Sequence, residues 1–277
     1  MLKISIQGER TSFHDMAAQT YFGKAVEILE CITFQEVCQT LADLRCDHAV
    51  MAIENTLVGS ILPNFGLIQR FPVTIEGELY LRIEQNLMAL PGQSLEAIRV
   101  VRSHPMALQQ CSNFLERHPN LKLLEAFDTA GSAREIREKS RMHTAAIASR
   151  AAAERYGLNI LAEGIENQDN NFTRFFILRR RESEPQFTGS KCTLYCTLNH
   201  AVGALAKLLD MFRTYQINLD MIQSLPLLNN PGEYGFLVEL RWQKMADFKA
   251  SLDAVKACTN DLKILGMYEP APHPFIS

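Results

Sequence analysis

The first part of the chain alternates short apolar runs with helical patterns. Ile4-Ser5-Ile6 precedes a helical pattern near Phe13 to Phe22, and Ala49-Val50-Met51-Ala52-Ile53 precedes a helix that begins after Gly59. Largely buried strands that are separated by helices are typical of an α/β layered domain. The alternation continues to about residue 178 and predicts this fold class for residues 1–180.

Helix caps and breakers divide the middle of this region. In Ser103-His104-Pro105 the proline stands at the first position of a helix that is predicted to run through about His118. Further elements are predicted from apolar runs and caps: a strand over 121–127 before the capping Asp128, a strand over 145–148, and a helix from Ser149 to Tyr156 that ends at Gly157.

A charge run over 179–185, with Gly189-Ser190 behind it, interrupts the apolar periodicity and predicts a linker over 181–190. A second domain is predicted over 191–277. Its elements are expected in the order strand 192–198, helix 203–215, strand 219–224, strand 234–240, helix 245–259 and strand 262–268. This βαββαβ order is that of a ferredoxin-like sandwich, and Asn229-Asn230-Pro231-Gly232 predicts a hairpin between its middle strands.

Composition narrows the class of protein. The chain has 277 residues and a net charge of -3, and neither sign of charge collects into a long block, so a nucleic-acid or anionic membrane surface is not indicated. No apolar run has the length of a membrane span, and Met1 to Ile6 is typical of a first strand rather than of a signal sequence. We therefore expect a cytoplasmic protein that binds small molecules and copies of itself.

The seven cysteines are scattered, without a Cys-x-x-Cys pair or a histidine at zinc-ligand spacing. They are predicted to be buried reduced thiols. The sequence also contains no defensible catalytic triad order, no paired carboxylates at a typical spacing and no metal cluster. Any chemistry is therefore expected to need neither a metal nor another cofactor.

The segment most suggestive of chemistry is Asn171-Phe172-Thr173-Arg174-Phe175, directly before the apolar run Phe176-Ile177-Leu178. Arginine can pair a carboxylate bidentately at any working pH, and threonine offers one neutral donor to a departing oxygen. The alternative is a strand entry with a solvated Arg174 and two core phenylalanines. The segment alone favours that alternative.

Polar clusters follow other predicted strands, where open α/β sheets bind ligands. The clusters are Gln7 to Phe13, Glu54-Asn55-Thr56 with Gly59-Ser60, Ser103-His104-Pro105, and Asp128-Thr129-Ala130. A glycine turn or a free helix N-terminus can present N–H groups to an anion, whereas the alternative is that these residues only cap helices. His104 could titrate near neutrality, although a single histidine at a helix start is more often structural.

Together these segments resemble the prephenate dehydratase family with a C-terminal ACT regulatory domain, and the resemblance spans nearly the whole chain. The segment around Thr173 is similar to the family's Asn-x-Thr-Arg-Phe. The other matching motifs are Ile53-Glu54-Asn55-Thr56 with Gly59-Ser60, Ser103 to Leu108 (family Ser-His-Pro-Gln-Ala-Leu), Asp128-Thr129-Ala130, and Tyr156-Gly157-Leu158. Five ordered motifs at matching separations are far more specific than one.

The resemblance implies a catalytic part of two α/β lobes like a periplasmic binding protein, with chain crossovers near 77–90 and 161–171 and the substrate between the lobes. It implies that Thr173 is catalytic and that Arg174 binds a carboxylate. The implied substrate-binding set is Arg174, Asn55, Glu54, Thr56, Ser12, Ser103, His104, Asn171 and Phe175. The implied reaction converts prephenate to phenylpyruvate, water and carbon dioxide, with helix N-termini after Ser12, Asn55 and Ser103 holding its carboxylates.

The resemblance further implies phenylalanine as an effector and a homodimer or tetramer that assembles through the ACT domain. The implied effector residues are Gly203, Ala204, Leu205, Asn218, Leu219, Gln223 and Ser224. The family's Glu-Ser-Arg-Pro is here Gln223-Ser224-Leu225-Pro226, which lacks two charges, so an ACT-like domain kept only for dimerisation is the alternative. The family's opening Gly-Pro-x-Gly-Thr-Phe-Ser is here Gly8 to His14, without the proline and the second glycine.

Other functions stay open. Arogenate dehydratase differs only in accepting an amino group where prephenate has a keto group. A non-catalytic amino-acid sensor would use the same cleft, but it would not need the Thr173 hydroxyl. A structural adaptor would expose interaction segments or low-complexity tails, which this sequence lacks. Because no chorismate mutase or prephenate dehydrogenase segment is evident, we expect a monofunctional enzyme.

Overall fold

The computed structural model describes residues 1–181, 188–226 and 234–275. The first lobe is built from the N-terminal elements and is covered by helices. Its elements are β1 (Leu2–Gln7), α1 (Phe13–Phe22), β2 (Val26–Cys31), α2 (Phe34–Ala42), β3 (His48–Asn55), β4 (Gly59–Ser60), α3 (Leu62–Arg70) and β5 (Val73–Arg82). The side chains of β3 are almost all buried, which explains its continuous apolar run.

The second lobe has its own sheet. Its elements are β6 (Asn86–Ala89), β7 (Val100–Ser103), α4 (Pro105–Gln110), α5 (Ser112–Glu116), β8 (Lys122–Glu125), α6 (Thr129–Glu138), β9 (Thr144–Ala148), α7 (Arg150–Tyr156) and β10 (Asn159–Ala162). The strand order is β10-β6-β9-β7-β8. The chain thus enters this lobe over 83–85 and leaves it over 163–171.

The chain returns to the first lobe as β11 (Phe172–Arg180), which lies antiparallel between β3 and β5. The C-terminal domain follows with β12 (Lys191–Thr197), α8 (Ala204–Thr214), β13 (Asn218–Pro226), β14 (Tyr234–Arg241), α9 (Met245–Lys256) and β15 (Asp261–Tyr268). The mixed α/β class, with two lobes and a βαββαβ domain, is confirmed.

The C-terminal domain continues the sheet of the first lobe. The strand order is β13-β14-β12-β15-β5-β11-β3-β1-β2. β15 lies parallel to β5, with Gly266 opposite Ile75, and the Thr74 hydroxyl donates to the carbonyl of Leu265 at 2.9 Å. Tyr268 packs into the same core as Phe176 of β11. The two domains therefore share hydrogen bonds and buried apolar surface.

Several local expectations are confirmed. Pro105 opens α4, the side chain of Asp128 caps α6 by accepting from the Gly131 backbone, and Gly157 ends α7 in the left-handed conformation, with φ 59 and ψ 42. Glycine is favoured there because it lacks a Cβ.

Other local expectations are wrong. The helix expected to reach His118 is two short helices, because the chain leaves helical geometry at Cys111, where φ is -108 and ψ is 16. The helix expected after Gly59 is confirmed as α3, which begins at Leu62, but its N-terminus does not lie directly after Asn55, because β4 comes between them. Most of the predicted linker and the hairpin tip at 229–232 lie outside the described residues.

Six of the seven cysteines are buried free thiols, as predicted, whereas Cys258 is partly exposed. The described helices include none that is long and apolar enough to cross a membrane.

The joint between β15 and β5 gives a stability prediction. A Cβ on Gly266 would lie 2.2 Å from the carbonyl oxygen of Ile75, so the two strands would have to separate. We expect Gly266→Ala to lower the free energy of unfolding by roughly 1–3 kcal/mol. Gly66→Ala is the matched control, because a Cβ there meets no atom within 4 Å. Alanine in that helix should stabilise by about 0.5–1 kcal/mol. Equal denaturation midpoints for the two variants would contradict this account of the joint.

Candidate active site

A cavity of about 400 Å³ lies between the two lobes. The first lobe and β11 supply residues from the ends of strands and from the start of α1, and the second lobe supplies the starts of α4 and α6. The residues that line the cavity are Gln7, Gly8, Ser12, Phe13, His14, Phe34, Ala52, Asn55, Val58, Ile61, Ile83, Gln85, His104, Met106, Ala107, Gln110, Phe127, Asp128, Thr129, Thr173 and Phe175.

Strand geometry decides which side chains reach this cavity. Successive residues of a strand point to opposite faces of the sheet. In β11, Thr173 and Phe175 face the cavity, whereas Arg174 faces the other side of the sheet. Thr173 lies directly opposite Asn55 of β3, which also lines the cavity. The sequence motif thus places two side chains at the cavity and one behind it.

The Thr173 hydroxyl accepts a hydrogen bond from the Nδ2 of Asn55 at 3.0 Å. The orientation of the Asn55 amide is fixed, because its Oδ1 accepts from the backbone N–H of Leu57 at 3.0 Å. The same Nδ2 donates to the Oδ1 of Asn171 at 2.8 Å. Since the oxygen of Thr173 is an acceptor toward Asn55, its proton is free to be donated elsewhere.

Asn171 extends this hydrogen-bond chain to the second lobe. Its side chain is fully buried, and its Nδ2 donates to the Oε1 of Gln110 at 3.2 Å. Asn171 does not line the cavity, but Gln110 does. Contrary to the prediction, Asn171 is therefore not positioned to contact a substrate directly. It orients the side chains of Asn55 and Gln110, which line the cavity.

Arg174 does not line the cavity, contrary to the prediction that it binds a substrate carboxylate. Its side chain is only 3% exposed. Its Nε donates to Glu78 at 2.7 Å, and its Nη2 donates to Glu239 of the C-terminal domain at 2.7 Å. Burial alone would lower its pKa, but the Glu239 carboxylate and the other acidic groups raise the pKa well above its usual value. The alternative of a solvated arginine is also wrong.

The other predicted residues divide into two groups. Ser12 and His104 line the cavity and cap α1 and α4, by accepting from the Asp15 and Met106 N–H groups. Burial lowers the pKa of His104 below its usual value, although Asp128 and Glu125 act in the opposite direction.

Ser103, Thr56 and Glu54 are not among the residues that line the cavity. The Ser103 hydroxyl is buried and donates to the Ile147 carbonyl at 2.6 Å. The exposed Thr56 donates to the Asn170 carbonyl at 2.8 Å, and Glu54 pairs with Arg174 at 3.4 Å. These three side chains support the walls of the site and the loops beside it.

Direct contacts hold the lobes together beside the cavity. The Arg134 guanidinium of α6 makes two hydrogen bonds of 2.7 Å to the Glu9 carboxylate of the loop after β1. The Ser149 hydroxyl donates to the carbonyl of Thr11 at 2.7 Å. The bidentate geometry of the Arg134–Glu9 pair is a strong form of ion pair. The two lobes are thus in direct contact with each other beside the cavity.

Three polar residues of the cavity lining lie outside the predicted polar clusters. Gln85 lies in the crossover to the second lobe, and its side-chain Oε1 is buried without a hydrogen-bond partner. Gln110 ends α4, and His14 lies in the first turn of α1. Gln85 lies in the polar run Glu84-Gln85-Asn86 between Ile83 and Leu87, which was the available signal for it, while Gln110 and His14 lie on helices without a distinguishing pattern.

The charge of the cavity lining is low. Burial lowers the pKa of His14 from 6.5 to about 4, so this imidazole is neutral at pH 7. Its ring packs edge-on against Phe175 at 5.1 Å. Burial raises the pKa of the Asp128 carboxyl, which is the one acidic side chain of the described lining. Among the described residues that line the cavity there is no lysine or arginine.

A smaller pocket, of about 110 Å³, lies in the C-terminal domain. The residues that line it are Leu198, Asn199, His200, Ala201, Ala204, Leu205, Tyr234 and Phe236. Ala204 and Leu205 belong to the predicted effector set, and Gly203 precedes them as N-cap of α8. Asn218, Leu219, Gln223 and Ser224 are not among the lining residues. Within a single chain, only part of the predicted effector set lies at this pocket.

These features define a two-lobed α/β protein with a largely apolar interlobe site that contains a few polar groups, and with a C-terminal βαββαβ domain. A family model described as prephenate dehydratase matches residues 4–183. The bifunctional chorismate mutase/prephenate dehydratase of Aquifex aeolicus (strain VF5) is 33% identical over 273 residues, which are 98% of this chain and 74% of that protein. The chain belongs to the prephenate dehydratase family.

Solved structures agree over almost the whole chain. Prephenate dehydratase from Arthrobacter aurescens, in complex with L-Phe, has a TM-score of 0.86 at 26% identity, covering 97% of this chain and 90% of that chain. GqqA, described as a novel type of quorum quenching acylase, has a TM-score of 0.87 at 30% identity and covers 98% of each chain. The C-terminal domain is therefore part of the shared architecture.

The buried imidazole of His14 predicts a pH dependence of stability. Its pKa is about 4 in the folded protein against 6.5 in the unfolded chain, so only the unfolded state binds this proton between those values. The stabilisation is therefore complete above pH 6.5 and is lost as the pH falls toward 4. When the pH is lowered from 7 to 4.5, the free energy of unfolding of the native protein should fall by roughly 1–3 kcal/mol more than that of the His14→Gln variant. Urea unfolding of both proteins at each pH measures this difference. Parallel pH profiles would contradict this assignment.

Proposed function

We propose that the protein catalyses the decarboxylating dehydration of prephenate to phenylpyruvate. Prephenate carries two carboxylates. Loss of the ring carboxylate as carbon dioxide leaves an electron pair that aromatises the ring and expels the ring hydroxyl, which departs as water after taking up one proton. Aromatisation provides the driving force, so the enzyme has to orient the substrate and assist the departure of the hydroxyl.

The observation that carries this proposal is the direction of the hydrogen bond between Asn55 and Thr173. Because the Nδ2 of Asn55 donates to the Thr173 oxygen at 3.0 Å, the Thr173 proton can point into the cavity. A neutral O–H donor suits an oxygen that gains negative charge as it leaves. A site that only receives carboxylates does not need such a donor, and this favours an enzyme over an amino-acid sensor.

Neutral groups are proposed to hold the substrate's negative charge. The described lining offers the amides of Gln85 and Gln110 and the free N–H groups at the start of α1, whose N-cap is Ser12. Helix N-termini and uncharged donors bind carboxylates without an opposing full charge. His14 is neutral at pH 7 and therefore serves as a hydrogen-bonding or packing group rather than as the acid. The proton reaches the leaving oxygen through the Thr173 hydroxyl from water.

Arogenate dehydratase is the second candidate function, and one observation favours it. Asp128 is a carboxylate in a described lining that has no lysine or arginine. The ammonium group of arogenate would find an opposite charge there, whereas the keto group of prephenate would not. The leaving-group chemistry at Thr173 would be the same for both substrates.

Phenylalanine is proposed as the effector, bound at the C-terminal domain. The pocket next to Ala204 and Leu205 is largely apolar, as an aromatic side chain requires. Because the remaining predicted effector residues do not line it, we propose that a second copy of the chain completes the site in a homodimer or tetramer. A location in the cytoplasm remains our expectation.

The first test compares substrates and the Thr173 hydroxyl. We expect the native protein to form phenylpyruvate from prephenate at neutral pH, with arogenate assayed in parallel. Thr173→Ala should lower kcat by roughly 10²–10⁴-fold with little change in KM, because it removes the donor to the leaving oxygen. Thr173→Ser is the control that keeps the hydroxyl and should keep much of the rate. A fully active Thr173→Ala enzyme would refute the role of this residue, and inactivity of the native protein with both substrates would refute the enzyme assignment.

The second test reverses the hydrogen bond that orients Thr173. In Asn55→Asp, one carboxylate oxygen can still accept from the Leu57 N–H, but the other becomes an acceptor for the Thr173 proton. That proton is then directed away from the substrate. We expect kcat to fall by roughly 10²-fold at pH 7 and to recover partly at lower pH as the carboxyl protonates. An unchanged kcat would show that the direction of this hydrogen bond does not matter.

A further inference from the structure

A cluster of buried charges lies behind the active-site strand, at the joint between the two domains. Glu78 and Arg174 come from the first lobe, and Lys191 and Glu239 come from the C-terminal domain. Each of these side chains is at most 3% exposed. The two positive and two negative side chains balance, which is the condition under which charges are tolerated in an interior.

Arg174 is the centre of this cluster. Its Nη2 lies 2.5 Å from Glu78 and 2.7 Å from Glu239. Lys191 bridges the same two carboxylates, at 3.1 Å from Glu78 and 3.3 Å from Glu239. The Tyr268 hydroxyl lies 3.4 Å from Nη2, and it also shares a hydrogen bond of 2.7 Å with Thr193. The guanidinium is thus held on several sides by groups of both domains.

The position of this anchor along β11 is the second observation. Arg174 directly follows Thr173, and the pairing register between β11 and β3 shifts between Arg174 and Phe175. The register with β3 therefore shifts one residue beyond Thr173 and pairing resumes from Phe175 onward, while pairing with β5 stays regular from Phe172 to Ile177. The anchored side chain of Arg174 supplies a constraint on the backbone at that place.

We propose that Arg174 is a positioning residue that fixes β11 at the Thr173 hydroxyl, and that Glu239 of the C-terminal domain holds Arg174 for this purpose. The inference rests on the proposed function. It means that the C-terminal domain completes the active site without touching the substrate. It also replaces the prediction of carboxylate binding with a role in turnover.

The two roles of Arg174 differ in kinetics. A residue that binds a substrate carboxylate raises KM when it is removed, whereas a residue that positions Thr173 lowers kcat. For Glu239→Gln and Arg174→Gln, we expect kcat to fall by roughly 10–10²-fold while KM changes by less than about threefold. The double variant should lose no more than Arg174→Gln alone, because both substitutions remove the same interaction.

A further double variant separates positioning from general damage to the fold. Glu239→Gln should not lower kcat further in a Thr173→Ala background, since its effect passes through the missing hydroxyl. Arg213→Gln is the matched control in the same domain, because Arg213 pairs with Asp210 on the surface, where these side chains are 77% and 63% exposed. It should leave both kinetic constants unchanged.

The contrary outcomes are distinct. A KM increase of tenfold or more at constant kcat in Arg174→Gln, native kinetics in both single variants, or an undiminished Glu239→Gln effect in the Thr173→Ala background would overturn the inference alone. Absence of turnover by the native protein with prephenate and arogenate would overturn the proposed function and this inference with it.

Discussion

The active site depends on the alternation of side chains along one strand. β11 presents Thr173 to the cavity between the lobes and Arg174 to the charged joint with the C-terminal domain. Because β11 lies between β3 and β5, each face is covered by a different part of the chain. The chemical group and its anchor are therefore adjacent in sequence but lie on opposite faces of the sheet.

The cavity is suited to its proposed reaction by hydrogen bonding more than by charge. Thr173, Asn55, Asn171 and Gln110 form a chain of neutral groups from one lobe to the other, and every described link in it has a defined donor and acceptor. Three cationic side chains lie outside the described lining: Arg174 and Lys191 in the joint between the domains, and Arg134 in its pair with Glu9. Fixed dipoles need no reorganisation when charge develops on the leaving oxygen.

Much of this arrangement could be predicted from the sequence. The order of elements, the ferredoxin-like domain and the pairing of chemistry with Thr173 and Asn55 follow from local patterns and from a family resemblance. The burial of Arg174 in ion pairs behind the sheet could not be predicted, because its partners Glu78 and Glu239 are 96 and 65 residues away in the chain. Gln85 was missed for a similar reason. It lines the cavity only because residues of both lobes, distant in the sequence, come together around it.

A crystal structure of the protein with a stable dicarboxylate analogue of prephenate would test the central claim most directly. The account predicts an analogue in the interlobe cavity, with the oxygen that mimics the leaving hydroxyl within about 3 Å of the Thr173 hydroxyl and with Arg174 still paired to Glu239. A carboxylate of the analogue bound to the Arg174 guanidinium would contradict it.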